Sequence, residues 1–133
     1  MEVSLNDALG VKSKNKYTQV VSLLFNARTN AHIAHLQTSS YAQHKALDEF
    51  YSGVLDLADS FAESAQGTQG ILTGYDLGKL NTGDIVSFLK SNMNELLSYR
   101  TQFSSTKEGH LIQLIDDMVE LYTTTLYKLT QLR

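Results

Sequence analysis

The 133-residue sequence contains no cysteine, no proline and no tryptophan. Without cysteine the chain forms neither disulfides nor thiolate metal sites, so cysteine-based chemistry is excluded. Proline normally marks turns and is excluded from helix interiors, and its absence therefore favours long helices over short strands and turns. A chain of this size buries roughly two thirds of its unfolded surface without a covalent staple. We expect a single domain over residues 1–133.

Strong charge of one sign and long apolar runs are also missing. The 11 Lys and Arg residues stand against 14 Asp and Glu, for a formal net charge of −3. This balance disfavours a nucleic-acid binder that depends on overall charge. No apolar stretch approaches the ~20 residues of a membrane span, and residues 1–20 lack the apolar core of a signal peptide. The sequence therefore predicts a cytoplasmic protein with no membrane association.

Glycine is concentrated in one window, since five of the eight glycines lie between positions 67 and 83. Outside this window, apolar residues recur at the spacings of three and four that are typical of amphipathic helices. The predicted helices cover about 14–36, 39–66, 84–104 and 108–131. Residues 1–13 are expected to form a flexible arm, and residues 67–83 a long connection.

The lengths of the links predict how the helices are arranged. Short links make the first and second helices, and the third and fourth, antiparallel neighbours, whereas the connection over 67–83 is long enough to cross the bundle. This layout predicts an all-α, ferritin-like four-helix bundle with a long crossover between the second and third helices. Gly53 interrupts the second helix at a cost of about 1 kcal/mol relative to Ala, which predicts a close helix crossing there.

Histidines and acids cluster around the junction of the first two helices. His32, His35 and His44 lie within 13 residues, and the second helix then carries several acids against the single cation Lys45. Asp59 and Glu63 are separated by one helical turn, so both carboxylates can contact one ion. Imidazole together with carboxylate suits Fe(II), Zn(II) or Mn(II). The sequence thus predicts a metal site, with a solvated acidic helix face as the alternative.

The usual di-iron site inside a four-helix bundle is disfavoured. That site takes a Glu-x-x-His motif from each of two helices, and the sequence contains no such motif. A site on the polar flank of the first two helices is open to solvent unless another subunit covers it. This geometry predicts an oligomer.

The spacing of His32, His44, Asp59 and Glu63 resembles that of the ferroxidase ligands in Dps-type mini-ferritins. The run from His44 to Tyr51, HKALDEFY, is similar to the start of that family's second helix. The run from Asp59 to Glu63, DSFAE, resembles the family's Asp-x-x-Ala-Glu motif. The resemblance is close over residues 28–70, and elsewhere it rests on the helix pattern.

The resemblance implies a hollow dodecamer in which His32 and His44 of one subunit face Asp59 and Glu63 of its two-fold partner. Asp48 is implied as an additional nearby ligand. The implied activity is a ferroxidase that oxidises Fe(II) with peroxide or oxygen and stores the product as a ferric mineral, which protects against oxidative damage. Zn or Mn can use the same set of ligands.

Three features depart from the family pattern. Ile33 stands where the family commonly has tryptophan after the first histidine. The connection over 67–83 has room for at most a turn or two of helix, where the family carries a short helix at its two-fold interface. Lys12, Lys14 and Lys16 are candidate nucleic-acid contacts, but neighbouring acids dilute their charge, so we expect DNA binding to be weak or absent.

Two further expectations concern the source of the protein and the other histidines. The phrases Ala34–Thr38 and Ala42–His44 resemble small Dps-like proteins of bacteriophages, which implies a location in the host cytoplasm or in the virion. The alternative function is a non-enzymatic ferritin-like structural or interaction bundle with a relic or structural metal site. His35 lies on the core-facing stripe, where it is either a buried structural imidazole or a substitute for His32 as a ligand. His110 is expected to be incidental.

Overall fold

The computed structural model describes residues 15–133, and within that range it contains helices and no strands. The helices are α1 (Lys16–Gln37), α2 (Tyr41–Gln69), α3 (Ile85–Arg100) and α4 (Gly109–Gln131). The predicted all-α bundle is confirmed, although α3 ends four residues before the predicted position 104. The expected flexible arm over 1–13 lies outside the described residues. Within residues 15–133, no helix combines the length and apolar character needed to cross a membrane.

Polar caps explain where the first three helices begin. The side chains of Asn15, Ser40 and Asp84 each accept hydrogen bonds from first-turn N–H groups of the helix that follows. Such a cap stabilises a helix by about 1 kcal/mol because it satisfies N–H groups that have no partner inside the helix. Because Ser40 caps the next helix, only three residues separate the end of α1 from the start of α2.

The core lies between the four helices and is largely aliphatic and aromatic. At one end, the fully buried Phe61 contacts Phe103 edge to face, with ring centroids 5.8 Å apart, and Phe103 contacts Tyr17 in the same way at 5.6 Å. Nearer the other end, Phe50 packs edge to face on Tyr122 at 5.0 Å. Four of these five aromatic rings come from α1, α2 and α4, and Phe103 comes from the link between α3 and α4.

Apolar spacings of three and four describe the buried face of α3 only in part. Leu97 is exposed, whereas Asn92 is buried between Leu89 and Leu96 and accepts a hydrogen bond from the hydroxyl of Tyr122. A buried hydroxyl needs a partner, and Asn92 supplies one inside the core. A pattern of apolar residues alone does not reveal this position.

Gly53 lies on the side of α2 that packs closely against α4. A Cβ atom at Gly53 would stand 3.1 Å from Cδ2 of Leu121, which is tighter than an ordinary carbon–carbon contact. The close helix crossing predicted from this glycine is confirmed.

We call residues 70–84 the interhelix linker. This segment contains no helix and is held against α1 by hydrogen bonds. Polar side chains at every fourth position of α1 form one stripe on the helix surface and bond the linker backbone. The hydrogen-bonded pairs, each with its α1 residue first, are Thr18 with Thr73, Ser22 with Asp76, Asn26 with both Leu77 and Lys79, and Asn30 with Asn81. The linker therefore follows α1 over more than three turns and in the same direction as the helix.

Glu108 joins the start of α1 to the start of α4. Its carboxylate accepts hydrogen bonds from Nζ of Lys16 at 2.8 Å, from the hydroxyl of Tyr17 and from the backbone N–H of Ser104 at 3.0 Å. Partial burial acts to raise the pKa of Glu108, but these hydrogen bonds outweigh it and lower the pKa to about 2. Burial, and then the bond to Glu108, raise the pKa of Tyr17 to about 12.

This cluster predicts a specific loss of stability in acid. The pKa of Glu108 is about 2 in the folded chain against an ordinary value of 4.5. A carboxyl with a depressed folded pKa stabilises the fold above its unfolded pKa, and this contribution disappears as the pH falls from about 4.5 towards 2. Glu108→Gln is expected to lower the free energy of unfolding by about 2 kcal/mol at pH 7, and by progressively less below pH 4.5.

Urea unfolding of wild type and Glu108→Gln across that pH range measures this difference. Glu120→Gln is the control, because Glu120 is an exposed acid of α4, the helix that Glu108 precedes. A difference between wild type and Glu108→Gln that stays constant with pH would contradict the role assigned to the ionised carboxylate.

Candidate metal site

The α1–α2 junction holds a pair of histidines joined by reciprocal hydrogen bonds. The rings of His35 and His44 stack with centroids 3.7 Å apart and planes 18° apart. Nδ1 of His35 donates to the carbonyl oxygen of His44 at 2.7 Å, and Nδ1 of His44 donates to the carbonyl oxygen of His35 at 2.8 Å. Because a carbonyl oxygen can only accept, each Nδ1 carries the hydrogen, and Nε2 of each neutral ring keeps a lone pair.

His32 lies one turn earlier on α1 and packs on α2. Its ring stacks on Tyr51 with centroids 4.1 Å apart and planes 10° apart, while the His35 ring is 5.9 Å away. A hydrogen bond with Asp48 raises the pKa of Tyr51, burial adds to this effect, and nearby Arg28 lowers it. The three histidines, Tyr51 and Asp48 therefore occupy one end of the α1–α2 pair.

Asp59 and Glu63 lie far from this end. Both side chains are exposed and share the outer face of α2 at positions i and i+4. Fifteen residues separate His44 from Asp59, which corresponds to roughly 22 Å along an α-helix. One chain therefore does not bring the four predicted ligands together. Over residues 15–133, no group of three or more His, Asp or Glu side chains is arranged to hold a metal ion.

The other candidate residues have separate locations. Lys16 is held in the ion pair with Glu108 and also donates to the carbonyl oxygen of Gln102 at 3.0 Å. Lys12 and Lys14 lie outside the described residues. His110 is exposed at the start of α4, at the opposite end of the bundle from the His35–His44 pair.

The contacts of His35 and Tyr51 with the other histidines were not predicted from the sequence. The sequence leaves His35 open between a structural and a ligating role, and it places Tyr51 only at the end of the HKALDEFY run. The sequence does contain an indication of the His35–His44 contact, because the two residues lie close to the break between α1 and α2, one on each side of it. Helices joined by so short a link bring such positions together.

A viral protein is similar to part of this chain. An uncharacterized 14.6 kDa protein in the mobD-ri intergenic region of Enterobacteria phage T4 is 41% identical over 56 residues, which cover 42% of this chain and 44% of that protein. The chain thus spans less than half the length of this relative. No solved structure matches the chain.

A family model matches most of the sequence. The family is described as a family of unknown function, DUF5856, and the match covers residues 35–129. The matched part runs from His35, through α2 and the interhelix linker, to the end of the core in α4. This extent exceeds two thirds of the chain, so the protein belongs to the DUF5856 family.

Proposed function

We propose that this protein is a Dps-like, iron-binding ferroxidase and iron-storage protein in which two copies of the chain complete each metal site. His32 and His44 of one subunit, together with Asp59 and Glu63 of its two-fold partner, bind Fe(II), and Asp48 assists. The favoured assembly is a homo-oligomer of twelve subunits. Similarity to a phage T4 protein supports a phage origin, and the proposed place of action is the host cytoplasm, with the virion as the alternative.

One observation carries the proposal: the candidate ligands lie outside the core and in two separate groups. His32 and His44 are half-buried at one end of α2, and Asp59 and Glu63 are exposed further along the same helix. Each group alone has too few ligands for a stable site. When α2 of a second subunit packs antiparallel on α2 of the first, the histidines of each subunit meet the carboxylates of the other. The two-fold contact then contains two identical sites.

Charge along the outer face of α2 supports this pairing. Lys45 lies next to His44, whereas the other half of the helix carries Asp59 and Glu63. An antiparallel partner therefore sets Lys45 and the imidazoles against Asp59 and Glu63, while Glu49 in the same half is already paired with Lys128. The two-fold axis then passes near Ser52, whose small exposed side chain allows the helices to approach.

The directions of the helices support a ferritin-like layout with a long crossover. Three ion pairs show which helix ends lie together. Lys16 at the start of α1 pairs with Glu108 just before α4, Glu49 near the start of α2 pairs with Lys128 near the end of α4, and Arg100 at the end of α3 pairs with Asp116 early in α4. In this arrangement α1 and α4 run one way, and α2 and α3 run the other. The chain must then return along the bundle between α2 and α3, and the interhelix linker follows α1 in that direction. These directions support the proposed ferritin-like connectivity with one long crossover.

The reaction is a two-electron reduction of peroxide by two Fe(II) ions. Each Fe(II) gives up one electron, the O–O bond breaks, two protons are taken up, and two waters leave. The carboxylates of Asp59 and Glu63 suit the ferric product, because hard oxygen ligands favour the more highly charged ion, and the imidazoles hold Fe(II). Carboxylates that face the interior of the assembly would bind the ferric ions as they leave.

Light scattering before and after anaerobic addition of Fe(II) tests the proposal. We expect a mass of about twelve subunits and roughly two Fe(II) ions per two-fold site, followed by oxidation when peroxide is added. The matched variants are Asp59→Asn, which removes a ligand, and Asp56→Asn, which neutralises an exposed acid one turn earlier. Asp59→Asn is expected to lose Fe(II) binding, and Asp56→Asn to keep it.

Two results favour the alternatives. A monomer or dimer that binds no iron indicates a non-enzymatic interaction bundle with an acidic, solvated face. An oligomer that dissociates when Zn or Mn is chelated, yet oxidises no Fe(II), indicates a structural metal at the subunit contact.

A further inference from the structure

His35 contacts the rings around it more extensively than a simple core residue requires. It is 8% exposed, and its ring stacks on His44 and meets Tyr51 edge to face with centroids 5.3 Å apart. Its Nδ1 donates to the backbone of His44 while its own carbonyl oxygen accepts from the His44 ring. His35 therefore holds both the backbone and the side chain of His44.

This arrangement determines which nitrogen of His44 is available. A neutral imidazole has two tautomers, and the hydrogen bond that one nitrogen makes decides which nitrogen carries the lone pair. The bond from Nδ1 of His44 to the carbonyl oxygen of His35 selects the Nδ1–H tautomer. The stacked ring of His35 at 3.7 Å limits rotation of the His44 ring. Nε2 of His44 is thus left with its lone pair and a fixed direction.

We propose that His35 is a positioning residue, which fixes the ring orientation and the tautomer of His44 so that Nε2 is the ligating atom. Metal-ligating histidines commonly donate their other ring N–H to a backbone carbonyl, and loss of such support typically lowers metal affinity 10–100-fold. The effect on metal affinity rests on the proposed function, whereas the effect on the His44 tautomer does not.

The choice of variants separates positioning from ligation. In His35→Asn, the side-chain amide can donate to the carbonyl oxygen of His44 as Nδ1 of His35 does, but it has no imidazole to ligate a metal. His35→Ala keeps the backbone carbonyl oxygen that accepts from Nδ1 of His44, but it removes the return donor and the stacked ring that hold this carbonyl opposite the His44 ring. His110→Ala is the control, since His110 is exposed at the other end of the bundle.

The first measurement is the ¹⁵N NMR signature of the His44 ring in metal-free protein. We expect wild type, His110→Ala and His35→Asn to show a protonated Nδ1 and an unprotonated Nε2. In His35→Ala we expect signals averaged between the two tautomers. Circular dichroism establishes that each variant is folded. A folded His35→Ala variant whose His44 ring keeps the wild-type signature overturns the proposal.

The second measurement is anaerobic Fe(II) affinity by titration. His35→Ala is expected to bind Fe(II) 10–100-fold more weakly than wild type, and His35→Asn to stay within about threefold of wild type. If His35→Asn keeps the wild-type NMR signature of His44 yet loses as much affinity as His35→Ala, His35 is itself a ligand and the positioning role is wrong. If wild type binds no Fe(II), the proposed function fails, while the NMR measurement still decides whether His35 fixes His44.

Discussion

A mixture of two inactive variants, His44→Ala and Asp59→Asn, is expected to recover about a quarter of the wild-type rate of Fe(II) oxidation. Each variant alone loses one ligand from both sites of its dimer and should be slower than wild type by about tenfold or more. In a mixed dimer, one site combines the intact His44 of one subunit with the intact Asp59 of the other. The second site lacks both ligands.

The expected recovery follows from the pairing of subunits. Random exchange makes about half of the dimers mixed, and one of the two sites in each mixed dimer is intact. The measurement is the initial rate of Fe(II) oxidation after the two variants are unfolded together and refolded. Each variant refolded alone gives the baseline rate.

A matched control tests the assignment of the acidic half-site. Asp56→Asn replaces another exposed acid of α2 and is expected to keep near wild-type activity alone. A mixture that remains inactive, although light scattering shows mixed oligomers, contradicts a site shared between subunits. Separation of the His44 and Asp59 positions by roughly 22 Å of helix excludes rescue within one chain.

Phe61→Ala is expected to lower the free energy of unfolding by about 3–5 kcal/mol. Phe61 is fully buried and contacts Phe103 edge to face at 5.8 Å. Truncation removes the buried ring and leaves a cavity that the surrounding helices fill only in part. The loss is a large fraction of the 5–15 kcal/mol that stabilises a typical domain.

Urea unfolding at matched protein concentration measures this effect, because oligomer formation makes stability depend on concentration. Tyr127→Ala is the control, since Tyr127 is an aromatic residue of α4 with 55% of its surface exposed. We expect Tyr127→Ala to change stability by less than about 1 kcal/mol. If Phe61→Ala lowers the free energy of unfolding by less than about 1 kcal/mol, the ring is not part of a tightly packed core.

Much of the bundle was predictable because helix formation depends on neighbouring residues in the chain. Apolar residues three and four apart predicted the helices, and the apolar residues Val20, Leu24, Phe50 and Phe61 within them are fully buried. The apolar spacing did not predict that Asn92 is buried. A polar side chain is buried in a core only when it has a hydrogen-bond partner there, and for Asn92 this partner is Tyr122 on another helix.

The path of the interhelix linker was less accessible from the sequence. Asn26 and Asn30 carry no apolar signal, yet they bond the linker backbone. A hydrogen bond of this kind depends on where two distant segments meet, and local propensity contains no such information.

The sequence by itself determined the four helices, the close crossing at Gly53, and the placement of Asp59 and Glu63 on one helix face, because each follows from residues near one another in the chain. Only the tertiary structure decided that His35, rather than His32, pairs with His44, and that His32 stacks on Tyr51. These contacts depend on distances and side-chain directions across two packed helices.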